Sequence, residues 1–175
     1  MIDSVIIEPI GRNDDEGFYR LVESERARLA PFFPVTTGRC SDVRNTRKYI
    51  KEMMERAEGR ELYCFVMRDY EGGPPIGAVF LKQFDWNIPK CEAAYFISSV
   101  YEGHGISTLG LIWATDLAFS TLGVNKVYVR VVPENIASMR VAEKCGFERE
   151  GLLRRDFRTA TGELVDVYLY GRLRS

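Results

Sequence analysis

Residues 102–108 read Glu-Gly-His-Gly-Ile-Ser-Thr, a small-residue turn between an apolar segment and a long helical one. Farther along, residues 132–138 read Val-Pro-Glu-Asn-Ile-Ala-Ser and open a second helical segment, which stops at Cys145-Gly146-Phe147. A glycine turn at a helix N-terminus offers backbone N–H groups to phosphate. The polar pair Asn135 and Ser138 can face what that phosphate carries. The two motifs predict a cofactor with a pyrophosphate at one end and reactive chemistry at the other.

The composition is that of an ordinary soluble protein. The 175 residues are 46% hydrophobic and 28% charged, which predicts one domain spanning residues 1–175. The net charge of −1 does not favour a nucleic-acid or membrane partner, and no apolar run reaches transmembrane length. Met1-Ile2-Asp3-Ser4 lacks the basic-then-apolar pattern of a signal peptide. We therefore expect a cytoplasmic protein.

The cysteines and the single histidine argue against a metal site. The four cysteines are scattered, with no CxxC motif and no pairing rhythm. With one histidine, a histidine-based zinc site is not expected. We expect no metal and reduced, mostly buried thiols at Cys40, Cys64, Cys91 and Cys145.

Hydrophobic periodicity predicts helices around a mixed sheet. Helices are expected from Asn13, as N-cap, to before Pro31, from Ser41 or Asp42 to about Glu58, from the glycine turn to about Leu122, and over 135–145. Strands are expected at 5–9, 62–67, 76–86, 91–100, 126–132, 151–158 and 164–172. The order β-α-α-β-β-β-α-β-α-β-β indicates an α+β (mixed α/β) fold, a central twisted sheet of about seven strands flanked by four helices.

The residues around both motifs resemble the GCN5-related N-acetyltransferase (GNAT) superfamily, and most of all its RimJ/RimL-type ribosomal-protein N-terminal acetyltransferases. The similarity spans nearly the whole chain. It includes Glu92-Ala93-Ala94-Tyr95-Phe96-Ile97, Asn135-x-x-Ser138-x-x-Val141-x-Glu143-Lys144-x-Gly146-Phe147 and Glu150-Gly151-Leu152-Leu153-Arg154. Two positions depart from the family's turn, which usually begins with Gln or Arg where this chain has Glu102, and has Gly or Ala where it has Ser107. A carboxylate at 102 is unfavourable beside a phosphate unless it points away.

The resemblance implies acetyl-CoA as cofactor and direct attack of an amine on its thioester in a ternary complex. Backbone N–H groups of the turn would hold the pyrophosphate, with Gly103 and Gly105 permitting positive φ and close approach. The alternative is a helix-start turn that binds no ligand. The residues expected to bind the cofactor are Ile97, Ser99, Gly103, His104, Gly105, Ile106, Ser107, Thr108, Asn135 and Ser138.

Ser138 is the first candidate catalytic residue. Many family members carry a tyrosine seven residues after the helix-opening asparagine, where this chain has Ala142. The RimJ/RimL type has a serine at the position of Ser138, and the resemblance assigns it as hydrogen-bond donor or acid to the leaving sulfur. Asn135 would position pantetheine or a water. Helix capping by both residues is the alternative.

Glu92 is the second candidate catalytic residue. It is the only charge in the apolar third strand, and the strand period places it on the face of Ala94, Phe96 and Ser98. A water held by this carboxylate can accept a proton from the amine. The alternative is a solvated glutamate at the start of the strand.

The acceptor is predicted from amine chemistry. An α-amine of pKa about 7.7 is roughly one-sixth neutral at pH 7, whereas a lysine is neutral well under one part in a thousand. This favours a protein or peptide N-terminus as acceptor. In similar proteins the acceptor cleft is lined by segments that correspond here to Phe32, Phe33 and Trp86, although these aromatics could equally complete the core or a subunit contact. A small amine acceptor (polyamine, aminoglycoside or aminoacyl conjugate), a non-catalytic CoA-binding domain and a homodimer stay open.

Overall fold

Seven strands form one mixed sheet within residues 5–175, the part of the chain that the computed structural model describes. They are β1 (Ile6–Pro9), β2 (Tyr63–Arg68), β3 (Gly77–Asp85), β4 (Lys90–Ile97), β5 (Lys126–Val131), β6 (Glu148–Arg158) and β7 (Leu164–Leu173). Their order is β1-β2-β3-β4-β5-β7-β6. Each neighbouring pair is antiparallel except β4 and β5, which are parallel. Residues 1–4, examined above for a signal peptide, lie outside the described residues.

Six α-helices accompany the sheet in the same part of the chain. They are α1 (Asp15–Ser24), α2 (Arg26–Leu29), α3 (Pro34–Arg39), α4 (Val43–Glu58), α5 (Ile106–Leu117) and α6 (Ile136–Lys144). The first predicted helix is split into α1 and α2, and Asn13 is not its N-cap because it lies inside a 3₁₀ turn over Arg12–Asp14. Pro34 begins the short α3, which the sequence did not predict, at a position where its missing N–H is not needed. α5 continues into a π-helical turn that ends at Gly123.

Alternate residues of the strands contribute to two large hydrophobic cores on opposite faces of the sheet, and Met67, Ile76, Ile97 and Ile106 form a third, smaller cluster. Val66 and Phe96 pack with the buried side of α1 and α4, represented by Phe18 and Ile50. Phe65, Val79 and Ala93 instead pack with Leu111 and Ala114 of α5. The period-two alternation of the strands thus supports a helical layer on each face. No helix within residues 5–175 is both long and apolar enough to span a membrane.

The sheet opens between its two parallel strands. β4 and β5 pair only from Lys90 to Glu92 on one side and from Lys126 to Tyr128 on the other. Beyond this point β4 runs on to Ile97 and β5 to Val131 without pairing to each other. Their facing edges therefore leave backbone N–H and C=O groups available. β4 ends at Ile97 rather than Val100, because residues Ser99–Tyr101 form a 3₁₀ turn.

Candidate active site

A cleft of about 730 Å³ lies where β4 and β5 separate. This volume is in the range of sites that bury a small molecule or cofactor. The cleft is lined by the carboxyl-terminal halves of β4 and β5, the first turns of α5 and α6, and the segment after α2. The predicted site residues among its lining are Phe32, Phe33, Glu92, Ile97, Gly103, Gly105, Ile106, Ser107, Thr108, Asn135 and Ser138.

The glycine turn has the backbone that phosphate binding requires. Gly103 and Gly105 both have φ of +78°, and Gly105 is the N-cap of α5. A Cβ placed on either glycine would meet no atom within 4 Å, so the space beside the turn is open. The first N–H groups of a helix have no partner within the helix. The residues present therefore fit a pyrophosphate at this helix start.

Two predicted cofactor residues do not line the cleft. The ring of His104 turns back on its own loop, with Nδ1 2.9 Å from the carbonyl oxygen of Glu102. Its backbone N–H remains the group relevant to phosphate. The N–H and hydroxyl of Ser99 donate to the buried carboxylate of Glu25, at 2.8 and 2.9 Å. The prediction that Ser99 contacts the cofactor is therefore not supported, because the 3₁₀ turn directs it toward α1 and α2.

Glu102 is paired with a cation. Its carboxylate accepts a hydrogen bond from Arg28 of α2, and the same guanidinium donates to the carbonyl oxygen of Ile97 at the end of β4. Arg28 also donates to Glu25 at 2.9 Å. The negative charge that seemed out of place in the turn is thus compensated by an arginine that itself lines the cleft.

A hydroxyl pair lies between α6 and β4. Asn135 caps α6, since its Oδ1 accepts from the Ser138 N–H at 3.0 Å. The Ser138 Oγ is 2.8 Å from the hydroxyl oxygen of Tyr95. Burial raises the pKa of Tyr95 to about 12, so that its phenol stays protonated at neutral pH. Sequence reasoning missed Tyr95, although the alternation of β4 already put it on the face opposite Glu92, toward α6.

Glu92 is buried in a paired, not a solvated, state. Its side chain is 6% exposed. Both carboxylate oxygens accept from the Arg130 guanidinium of β5, at 3.1 and 3.0 Å. Arg130 also donates to the backbone oxygen of Asp156 at 3.1 Å and contacts its carboxylate at 3.3 Å. The pair closes the narrow end of the opening between β4 and β5.

Aromatic residues form one wall of the cleft, but Trp86 is not among them. Phe32 is 41% exposed and lies against Phe157, with ring centroids 6.3 Å apart. Phe33 packs edge-on against Phe96 at 5.2 Å. Trp86 stacks on Phe84 at 4.9 Å and lies under the Arg60 guanidinium. It follows β3 near the start of β4, whereas the cleft opens toward the carboxyl end of β4, so the structure does not bring Trp86 to the cleft as predicted.

Positive charge exceeds negative charge around the cleft. Among the described residues, its lining includes two carboxylates, Glu92 and Glu102, both of which are paired. Its cations are Arg28, Lys82, Arg130, Arg140 and Lys144. Arg140 and Lys144 lie one helical turn apart on α6, and neither forms an ion pair within residues 5–175. This excess suits a ligand that carries phosphate groups.

Comparison with known proteins identifies the family. Residues 4–148 match the family model described as an acetyltransferase (GNAT) domain. The chain is 30% identical over 154 residues to the probable N-acetyltransferase YjcK of Bacillus subtilis (strain 168), covering 87% of this chain and 85% of that one. It is 30% identical over 109 residues to a spermidine N(1)-acetyltransferase of Vibrio cholerae serotype O1, covering 62% and 60%. The chain belongs to the GNAT family of acetyltransferases.

A solved structure supports the fold. Mycobacterium smegmatis RimJ in complex with CoA-disulfide superposes with a TM-score of 0.86 at 22% identity, covering 97% of this chain and 81% of that one. The predicted mixed sheet of seven strands is confirmed, with two short helices added to the four expected. The protein is an N-acetyltransferase that depends on acetyl-CoA.

Proposed function

We propose that the protein acetylates the α-amine of a protein or peptide N-terminus. The observation that carries this choice is the charge balance on the Glu92 face of the sheet. Glu92 is paired with Arg130, its cross-strand neighbour is Lys82, and the described residues offer no surplus of carboxylates there. A polyamine would bring several cations into this region. An N-terminal amine brings a single charge, which it loses on deprotonation.

The cofactor is held by the turn, by α6 and by the separated strands. The N–H groups of residues 103–108 bind the pyrophosphate, and Arg140 and Lys144 add positive charge from α6. The facing edges of β4 and β5 beyond Glu92 offer backbone groups to the extended pantetheine arm. When bound there, acetyl-CoA supplies an acyl group activated as a thioester.

Glu92 and Ser138 have separate roles in the proposed reaction, one toward the amine and one toward the sulfur. Glu92 holds a water through the lone pairs that Arg130 leaves free, and this water accepts the proton of the attacking amine. Ser138 would donate a hydrogen bond to the sulfur as it leaves. The Tyr95 hydroxyl lies 2.8 Å from the Ser138 Oγ and 3.3 Å from the Ser138 carbonyl oxygen, and when it donates to the Oγ it leaves the serine proton free for the sulfur. Because a free thiol has a pKa near 8.5, protonation of the sulfur is favourable at pH 7.

A small amine is the second candidate acceptor. The 30% identity to a spermidine N(1)-acetyltransferase favours it, although that similarity covers 62% of this chain. The pairing of Glu92 and Glu102 with arginines weighs against it, since carboxylates already neutralised bind a polycation weakly. The aromatic wall of Phe32 and Phe157 suits the apolar side chain of a peptide better than a chain of amines.

The experiment that tests the acceptor measures thiol release from acetyl-CoA with matched amines. Short peptides with a free α-amine should turn over, and the same peptides with an acetylated α-amine and a free lysine should not. Spermidine should show a kcat/KM well below that of the peptides. A kcat/KM for spermidine equal to or above that of every peptide would contradict the proposal. Turnover of no amine, despite CoA binding, would favour the non-catalytic alternative.

The setting of the reaction is part of the proposal. We place it in the cytoplasm, in keeping with four cysteines that are free thiols and buried. A homodimer stays a prediction, which sedimentation of the purified chain would test.

A further inference from the structure

The ion pair between Arg28 and Glu102 joins two parts of the site. Glu102 is the first residue of the glycine turn, and Arg28 lies on α2, 74 positions earlier in the chain. The two side chains are 43% and 54% exposed at the edge of the cleft. An ion pair this exposed contributes little to the stability of the fold. Its position beside the turn instead suggests a role in the cofactor site.

The segment that carries Glu102 is fixed to α1 and α2 by further contacts. The guanidinium of Arg28 also holds the carbonyl oxygen of Ile97 and the carboxylate of Glu25. The other oxygen of Glu25 accepts from the hydroxyls of Ser98 and Ser99 and from the Ser99 N–H. Although burial alone would raise it, these hydrogen bonds and Arg28 keep the pKa of Glu25 below its usual value. Glu25 and Arg28 together span Ile97–Glu102.

We propose that Arg28 is a positioning residue of the cofactor site, which lets a turn that begins with a carboxylate bind phosphate. The argument rests on the placement of the pyrophosphate at residues 103–108. Without Arg28, the partly exposed carboxylate of Glu102 would be unpaired beside the turn and would repel a pyrophosphate bound there. With Arg28, the pair is neutral and the guanidinium keeps donors directed into the cleft. Arg28 thereby supplies a positive charge beside a turn whose own first residue is acidic.

The proposal predicts that the two residues are energetically coupled in cofactor binding. Arg28→Ala should weaken CoA about tenfold while Glu102 is present, because an unscreened repulsion of this kind amounts to that order. In the Glu102→Gln background the same substitution should cost about threefold or less. Glu102→Gln alone should leave CoA affinity unchanged or tighten it. All these differences should shrink in 1 M salt, where the Debye length is about 3 Å.

The test is a double-mutant cycle. CoA is titrated calorimetrically into the wild type, Arg28→Ala, Glu102→Gln and the double variant. Arg20→Ala is the matched control, since Arg20 forms an exposed pair with Glu16 on α1 and does not line the cleft. Equal losses for Arg28→Ala in both backgrounds, or weaker binding by Glu102→Gln, would overturn the proposal. Glu102→Gln keeps the shape of an exposed side chain, so its result stands even where Arg28→Ala fails to fold.

The cycle is independent of the acceptor. Binding of CoA is measured without turnover, so a failure of the peptide panel leaves the coupling between Arg28 and Glu102 intact. CoA that binds the wild type but is insensitive to both Gly105→Ala and Arg28→Ala would overturn the placement of the phosphates, and this inference with it. Sensitivity to Gly105→Ala alone would retain that placement and overturn the role of Arg28.

Discussion

In the proposed mechanism, two neighbouring hydroxyl groups act on the leaving sulfur. Ser138 has an ordinary hydroxyl, which is a poor acid in isolation. Its oxygen is 2.8 Å from the phenol of Tyr95, whose pKa burial raises to about 12. A phenol that holds its proton can donate to the Ser138 Oγ or to the Ser138 carbonyl oxygen, which is 3.3 Å away. When it donates to the Oγ, the hydrogen of Ser138 is free for the ligand, and this is the arrangement that the proposed mechanism uses.

Removal of the Tyr95 hydroxyl should lower kcat without weakening the cofactor. We expect Tyr95→Phe to reduce kcat about tenfold and Ser138→Ala to reduce it by at least as much, with similar KM for acetyl-CoA. Because the hydroxyls act as a unit, the double variant should be no slower than Ser138→Ala. Steady-state kinetics would measure this, with Tyr63→Phe, outside the cleft, as the control. Independent, multiplying losses would contradict the coupling.

The base side of the reaction is tested at Glu92. We expect Glu92→Gln to reduce kcat/KM about a hundredfold throughout the pH–rate profile, because the water that accepts the amine proton loses the carboxylate that holds it. Breaking a buried pair with Arg130 also destabilises the fold, so rates should be measured well below the unfolding temperature. Asp156→Asn is the control, because it removes the more exposed carboxylate from the same arginine. A profile for Glu92→Gln that matches the wild type would exclude Glu92 as base.

The helices and strands followed largely from periodicity, but their arrangement did not. Alternation and glycine stops located seven strands and the four long helices. The position of β7 between β5 and β6 depends on pairing between distant segments, which no local pattern encodes. The same limit applies to the site. The glycine turn, Asn135 and Ser138 are local motifs, so the sequence could single them out, and residues of all three line the cleft.

Contacts between elements were not found from the sequence. Tyr95 meets Ser138 across 43 positions and Arg28 meets Glu102 across 74, so neither partner could be assigned from spacing. Trp86 and Ser99 do not line the cleft. Both were predicted from the segment that carries each residue, whereas the direction in which that segment faces is set by the sheet and by Glu25.

We expect that neither Gly103 nor Gly105, in the turn before α5, can be replaced without loss. A Cβ added at Gly105 has space, but the substituted residue must adopt the φ of +78°, which costs roughly 1–2 kcal/mol. We expect Gly105→Ala to lower stability by about that amount and to weaken CoA about tenfold, since the strained turn misdirects its N–H groups. Gly38→Ala in α3 is the matched control. That glycine is helical and lies outside the cleft, and a Cβ added to it meets no atom within 4 Å. Unchanged CoA affinity in Gly105→Ala, measured by calorimetry, would contradict a phosphate at this turn.

Within residues 5–175, one sheet divides two large cores, and the site lies where that sheet separates. Phe96 belongs to the α1–α4 core, with Phe33 packed against that core, and Tyr95 packs against the α5–α6 core. Ile106 of the turn belongs to a third, smaller cluster. All four cysteines lie in these cores. Burial raises the pKa of Cys91 to about 12 and those of Cys40 and Cys145 to about 11, and it raises that of Cys64 well above its usual value.

These thiols should make the fold sensitive to alkali. The folded state holds them protonated while the unfolded chain releases their protons near pH 9, so their stabilising effect is complete below that pH and is lost as pH rises toward 11 or 12. As the pH rises from 8 to 10, each thiol should lower the free energy of unfolding by about 1.4 kcal/mol. Urea denaturation at pH 8 and pH 10 measures the loss of unfolding free energy between the two pH values. This loss should be about 1.4 kcal/mol smaller in Cys91→Ala than in the wild type. Any cavity left by the substitution acts equally at both pH values and cancels in this difference, so identical losses would show that Cys91 does not contribute.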